Sequence, residues 1–153
     1  MEKNKNKILT ISIIVSLVLL TGVAALVYLT TRAEVPEGVL RVETSEEVIS
    51  IDTSLVKLHP VEGILINGKG EEREIDASGV ELMELLSDNG ITVPSGIKVT
   101  ADDGYNAEVT VQEMEETGRV YLLMEDGERP QLVVFGDSDS KRNVTGVIMV
   151  VVQ

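Results

Sequence analysis

Apolar and polar positions divide the chain into two regions of different character. From Ile8 to Leu29 the run ILTISIIVSLVLLTGVAALVYL carries no charged side chain. At about 1.5 Å per helical residue it is long enough for the roughly 30 Å hydrocarbon core of a bilayer. The hydroxyls of Thr10, Ser12, Ser16 and Thr21 can bond back to helix carbonyls, so they do not spoil a span. The pattern predicts a transmembrane helix over 8–30, a basic head over 1–7 and a short acidic stem over 31–47. Pro36 stops the helix from running through the stem.

Beyond Glu47 the pattern becomes strand-like. Val48, Ile49 and Ile51 lead into an Asp52-Thr53-Ser54 turn, and Leu55–Leu58 forms a brief turn or helix ended by Pro60. Val61–Asn67 and Glu72–Ile75 read as a hairpin around Gly68-Lys69-Gly70. Ser78-Gly-Val-Glu81 has the spacing of a capping box, predicting a helix that buries Leu82, Leu85 and Leu86 and ends at Asn89-Gly90. Ile97–Ala101 and Ala107–Val109 are expected strands around Asp102-Asp103-Gly104-Tyr105. Thr110 and Glu113 repeat the capping box for a second short helix stopped by Gly118. Strands Arg119–Glu125, Leu132–Phe135 and Val144–Val152 follow, the first ending in an Asp126-Gly127 turn. The unbroken run Val147–Val152 suggests a strand covered on both faces. The fold class is therefore α+β: a mixed β-sheet domain over 48–153 with two short helices, preceded by one transmembrane helix.

Charge sets the topology. Lys3, Lys5 and Lys7 precede the apolar run and only Arg32 follows it before Glu34. The positive-inside rule places the amino terminus in the cytoplasm and the domain outside the plasma membrane. A cleaved signal peptide is the competing reading, although its apolar region is usually about 7–15 residues. Beyond Arg32 the chain carries 9 Lys and Arg against 25 Asp and Glu, a net charge of −16. Such a surface repels nucleic acid and anionic lipid head groups. The partners expected are the membrane itself and a membrane or surface protein neighbour, with no nucleic acid.

With no cysteine the chain lacks thiolate catalysis and cysteine-ligated metal, and its single histidine, His59, leaves almost no raw material for a Ser–His triad or a multi-histidine metal site. Two acidic loops are the candidate sites. Asp102 and Asp103, with Asp137 and Asp139, are possible calcium ligands by virtue of their hard oxygens. The structural alternative for Asp103-Gly104-Tyr105 is a turn in which Asp starts the bend, Gly takes positive φ and Tyr packs on the sheet. Asn143-Val-Thr145 fits a glycosylation sequon. No catalytic or cofactor-binding residue is assigned.

Five segments, in order, resemble the molybdopterin-binding domain of the sulfite oxidase family, especially its small stand-alone relatives. Ser78-Gly-Val-Glu-Leu-Met-Glu-Leu-Leu86 is similar to the family's G-V-x-L-x-x-L-L helix. Val99–Tyr105 is similar to its strand running into D-G-Y. Val120–Glu128, Leu132–Gly136 and Arg142–Ile148 match the strand-and-turn, the "RLVVPG" segment and the closing strand. The resemblance implies the family's fold over roughly Ile49–Val152. It also implies a molybdenum-ligating cysteine on the strand before the first helix. The corresponding stretch, around Gly63–Gly68, has none, and the family's H-G-x-P-x-R segment shrinks to Glu128-Arg129-Pro130-Gln131. The expectation is the fold retained without its molybdopterin: a non-catalytic, extracytoplasmic binding or accessory module. A molybdopterin-dependent oxidoreductase or redox accessory subunit is the first alternative, and a calcium-dependent adhesion module the second.

Overall fold

A computed structural model describes residues 13–23, 35–125 and 128–153. The chain separates into two compact units, Met1–Glu34 and Val35–Gln153. In the first, residues 13–23 are helical (α1). The apolar side chains from Ile13 to Val23 stand exposed, Leu20 by 76%. Thr21 Oγ1 donates to the Leu17 carbonyl at 2.8 Å, the back-bonding that lets a hydroxyl sit in an apolar helix. Among the described residues no helix is long and apolar enough to cross a membrane. The rest of the expected span, the basic head, the start of the stem and the Asp126-Gly127 turn lie outside the described residues.

The second unit is α+β. Its strands are β1 (Val39–Glu43), β2 (Val48–Asp52), β3 (His59–Ile66), β4 (Glu72–Glu81), β5 (Gly96–Ala101), β6 (Asn106–Thr110), β7 (Val120–Leu123), β8 (Gln131–Val134) and β9 (Val147–Val152). Helix α2 (Leu82–Asp88) follows β4, and α3 (Val111–Glu115) follows β6. The strands form two sheets, ordered β2-β1-β9-β5-β6 and β3-β4-β7-β8. Pairing is antiparallel except between β1 and β9.

One apolar ladder runs straight across the first sheet through Ile49, Val42, Val150, Val99 and Ala107. Val42, Val99 and Val150 are wholly buried. This inner face, the buried side of α2 and the residues Val80, Val120, Leu122, Leu132 and Val134 of the second sheet enclose the main core. Each fully buried aliphatic side chain contributes about 1.5–3 kcal/mol of transfer free energy. The outward residues of β9 are half-buried rather than covered. A register shift opposite Thr100 and Ala101 lets Val147 and Val150 both point inward despite their odd spacing.

Two expectations need correction. Residues 39–43 are not stem: β1 lies between β2 and β9, and Leu40 and Val42 are fully buried. Two alternating apolar positions beside Pro36 and Gly38 are too brief a signal to read locally; the pairing with β9 makes the strand. Nor does Ser78 cap a helix. Ser78–Glu81 continue β4 and pair with β3 and β7, and α2 begins at Leu82 without a side-chain cap. Sheet pairing outweighs a cap worth about 1 kcal/mol. The second capping box is formed as expected, with Thr110 and Glu113 reciprocally bonded. Gly90, at φ 73°, terminates α2.

A smaller core lies on the other face of the second sheet, where Val61, Leu65, Leu123 and Val133 pack with Phe135, Tyr121, Ile75 and Ala77. Strand β4 contributes to both cores through the alternation of its side chains, and at Gly79 its backbone lies hard against β7. A Cβ there would sit 2.6 Å from the Leu122 carbonyl oxygen. Gly79→Ala is expected to destabilise the domain by about 1–3 kcal/mol through this overpacking, read as a lower midpoint in urea with an unchanged slope.

Candidate functional site

The expected site residues lie in two loops that the fold places side by side. The 102–105 loop closes β5 onto β6. Asp103 Oδ1 accepts the Tyr105 amide at 2.8 Å, Gly104 takes φ 90°, and the Ala101 amide donates to the Tyr105 carbonyl at 2.8 Å. This is an Asx turn in which Asp103 and Gly104 take the expected parts, whereas Tyr105 stands 49% exposed instead of packing into either core. The Tyr105 hydroxyl then donates to the Lys141 carbonyl at 2.6 Å, joining this loop to the one bearing Asp137 and Asp139.

The four carboxylates do not converge; each is engaged separately. Asp102 faces Arg129 Nε at 3.8 Å and packs against Gly146, where an added Cβ would lie 2.8 Å from its Oδ1. Asp103 is held by its own turn. Asp139 pairs with Lys141 at 2.8 Å, a side-chain hydrogen bond that keeps the carboxyl below its usual range. Asp137 receives a two-pronged guanidinium from Arg142, with Nε 2.8 Å from Oδ2 and Nη2 on Oδ1. Among the described residues no group of three or more His, Asp or Glu is arranged to hold a metal ion.

The densest polar cluster was not foreseen. Glu113, at the third position of α3, accepts the Thr110 amide and hydroxyl, each at 3.0 Å. Its other oxygen takes Arg142 Nη1 at 2.8 Å and Arg119 Nη2 at 3.1 Å. Arg119 also binds Glu116, while its Nε is buried without a partner. Burial pushes the Glu113 carboxyl up, but the donors from Thr110 and Arg142 outweigh it and hold it below the ordinary value. The hydrogen bonds to Asp137, reinforced by Glu113, raise Arg142 further still. The local signal was the Thr110–Glu113 spacing; the convergence of Arg119 and Arg142, remote in sequence, carried none.

Other polar groups serve the frame. Glu81 Oε1 accepts the Gly118 amide at 2.9 Å and the Tyr121 hydroxyl at 3.0 Å; burial and this carboxylate together raise the phenol. Arg129 donates to the Val35 carbonyl at 3.3 Å besides facing Asp102. Asn143, the sequon asparagine, accepts the Val134 amide at 3.1 Å. His59 lies 3.8 Å from Glu84 at the surface.

The stretch around Gly63–Gly68, where the resemblance would set a ligand cysteine, is the second half of strand β3 and its turn. Gly63 is roofed by the Phe135 ring: a Cβ at that position would come within 2.8 Å of Cζ. Phe135 in turn packs edge-on against Tyr121, with ring centroids 5.9 Å apart. These residues fit a small apolar core and not a molybdenum-ligating pocket. Open clefts among the described residues include two on the domain. One, of about 430 Å³, lies over Val56, Val80 and Leu85 with Asp52, Lys57 and Asp88 at its rim. The other, of about 310 Å³, is lined by residues including Glu37, Thr53, Leu58, Met124 and Glu128. No family model and no curated protein matches the chain.

Chemically, the clustered ions pair with one another, Arg119 Nε excepted, and so tie α3 to the 137–142 loop. Glu113→Gln is expected to destabilise the domain by roughly 1–2 kcal/mol at neutral pH, because Arg119 and Arg142 lose their shared carboxylate. The sign follows from linkage. A carboxyl held below its unfolded value of 4.5 stabilises fully above that pH and loses its contribution as pH falls through the folded value. Thermal melts from pH 7 to pH 3 should therefore show wild type and Glu113→Gln converging below about pH 4.5.

Proposed function

We propose that the chain is a single-pass, membrane-anchored protein whose domain acts outside the plasma membrane as a non-catalytic binding or accessory module. Its fold on this reading is of the sulfite oxidase molybdopterin-binding type, with the cofactor site given up. The anchor rests on the charge-free run Ile8–Leu29 behind Lys3, Lys5 and Lys7. The observation that carries the functional reading is at Gly63. In the stretch around Gly63–Gly68, which the resemblance sets against the family's metal-ligand strand, Gly63 lies under Phe135, and the chain has no cysteine there or elsewhere.

Two further facts support the reading. Arg129 is committed to Val35 and Asp102, and the net charge of −16 beyond Arg32 disfavours an anionic pterin phosphate. A tether also suits a module that acts on a membrane neighbour, because it converts encounter into a local event at raised effective concentration. The deciding experiment is elemental and pterin analysis of the full chain purified from its native membranes. Substoichiometric molybdenum and no extractable pterin are expected; one molybdenum and one pterin per chain would overturn the proposal.

A further inference from the structure

We infer that the free edge of β3, with the outward face of the β3–β4 ribbon, receives an extended, cationic segment of a protein partner as an added strand. This rests on the binding-module reading and specifies its surface. Four observations converge on it. First, β3 is the terminal strand of its sheet, and its eight residues pair with β4 in unbroken register from His59 opposite Gly79 to Ile66 opposite Glu72. The other edges are shorter or covered: β2 and β6 have five residues each, and β8 is bridged by Val144.

Second, the usual protections of an edge are sparse along β3. Such edges carry charged side chains, prolines or bulges. Here they are Pro60, near the start, and Glu62, whose charge disfavours acidic strands but not cationic ones, and no bulge interrupts the pairing. Third, the outward face is partly apolar. Ile64 is 52% exposed, with Ile66 two residues on.

Fourth, the charge on that face is of one sign. Glu62 stands directly opposite Asp76, Ile64 opposite Glu74 and Ile66 opposite Glu72. None of these four carboxylates has a basic partner among the described residues. Like charges facing each other across strands weaken a ribbon, and a cationic neighbour reverses the sign of that interaction. A second copy of this chain would bring the same carboxylates against themselves, so the complement is a foreign strand. Alternating Lys or Arg with aliphatic residues gives it both partners: main-chain bonds along β3, and side chains set against Glu62, Ile64 and Asp76.

The test uses the full chain in phosphatidylcholine nanodiscs and the amidated peptide Lys-Val-Lys-Ile-Lys-Val-Lys. Binding that weakens with salt is expected, with new hydrogen-exchange protection at β3 amides. Glu62→Lys with Glu74→Lys should reduce affinity by at least about tenfold, whereas Glu108→Lys on the other sheet should not. The peptide Lys-Val-Lys-Pro-Lys-Val-Lys has the same charge but cannot complete the ladder, and should lose affinity to a similar extent. The inference is overturned if there is no binding at low salt, if the proline peptide binds equally well, if Glu108→Lys is equally damaging, or if the chain pairs with itself through β3. Any of these results, with molybdenum and pterin absent, refutes this surface and leaves the module reading standing.

Discussion

Strand β4 supplies side chains to two cores on opposite faces of one sheet, as strand alternation allows, and its backbone must at the same time lie against β7 more closely than a side chain at position 79 would permit. Val80 belongs to the main core, while Ile75 and Ala77 pack on the satellite core. Between them Gly79 brings its backbone against Leu122, closer than any side chain would permit. The close approach sets β4 beside β7, and β7 carries Leu122 into one core and Leu123 into the other. Phe135 closes over Gly63, and the outer ribbon acquires its acidic outward face. The bonds between Leu132 and Val144, and from Val147 to the Pro130 carbonyl, then tie the second sheet to the entry of β9 in the first.

Local chemistry made part of this legible. The hairpin around Gly68-Lys69-Gly70, the end of α2 at Gly90, the Asp103-Gly104-Tyr105 turn and the capping box at Thr110 all depend on neighbours within a few residues, and the structure has all four. What failed was decided at a distance. Ser78 and Glu81 have capping-box spacing, yet their segment is claimed by pairing with β3 and β7. Leu40 and Val42 became a strand because β9, more than a hundred residues later, lies alongside them. The same holds for the polar groups. The acidic loops were found by composition, but which cation meets which carboxylate was not: Arg142 reaches Asp137 and Glu113 across the fold, and Arg129 reaches Asp102.

Those pairings alter the functional argument. Carboxylates that seemed free to hold a cation are each occupied by a guanidinium, an ammonium or a turn amide, so the loops are fixed frames. Carboxylates without a basic partner among the described residues do line the β3–β4 ribbon, beside the exposed Ile64 and the edge of β3. Surface charge of that kind speeds and selects encounter more than it adds affinity. A tether contributes what such a surface lacks, a high local concentration of the right neighbour.

All of this presumes that the domain is held at the outer face of a membrane, and fractionation of intact cells tests that claim most directly. The account predicts that the full-length chain pellets with membranes and resists alkaline carbonate. Protease added outside the cells should remove the acidic domain and leave a small membrane-bound fragment containing Ile8–Leu29. Release of the chain by carbonate, or a domain protected from protease until the cells are opened, would contradict it.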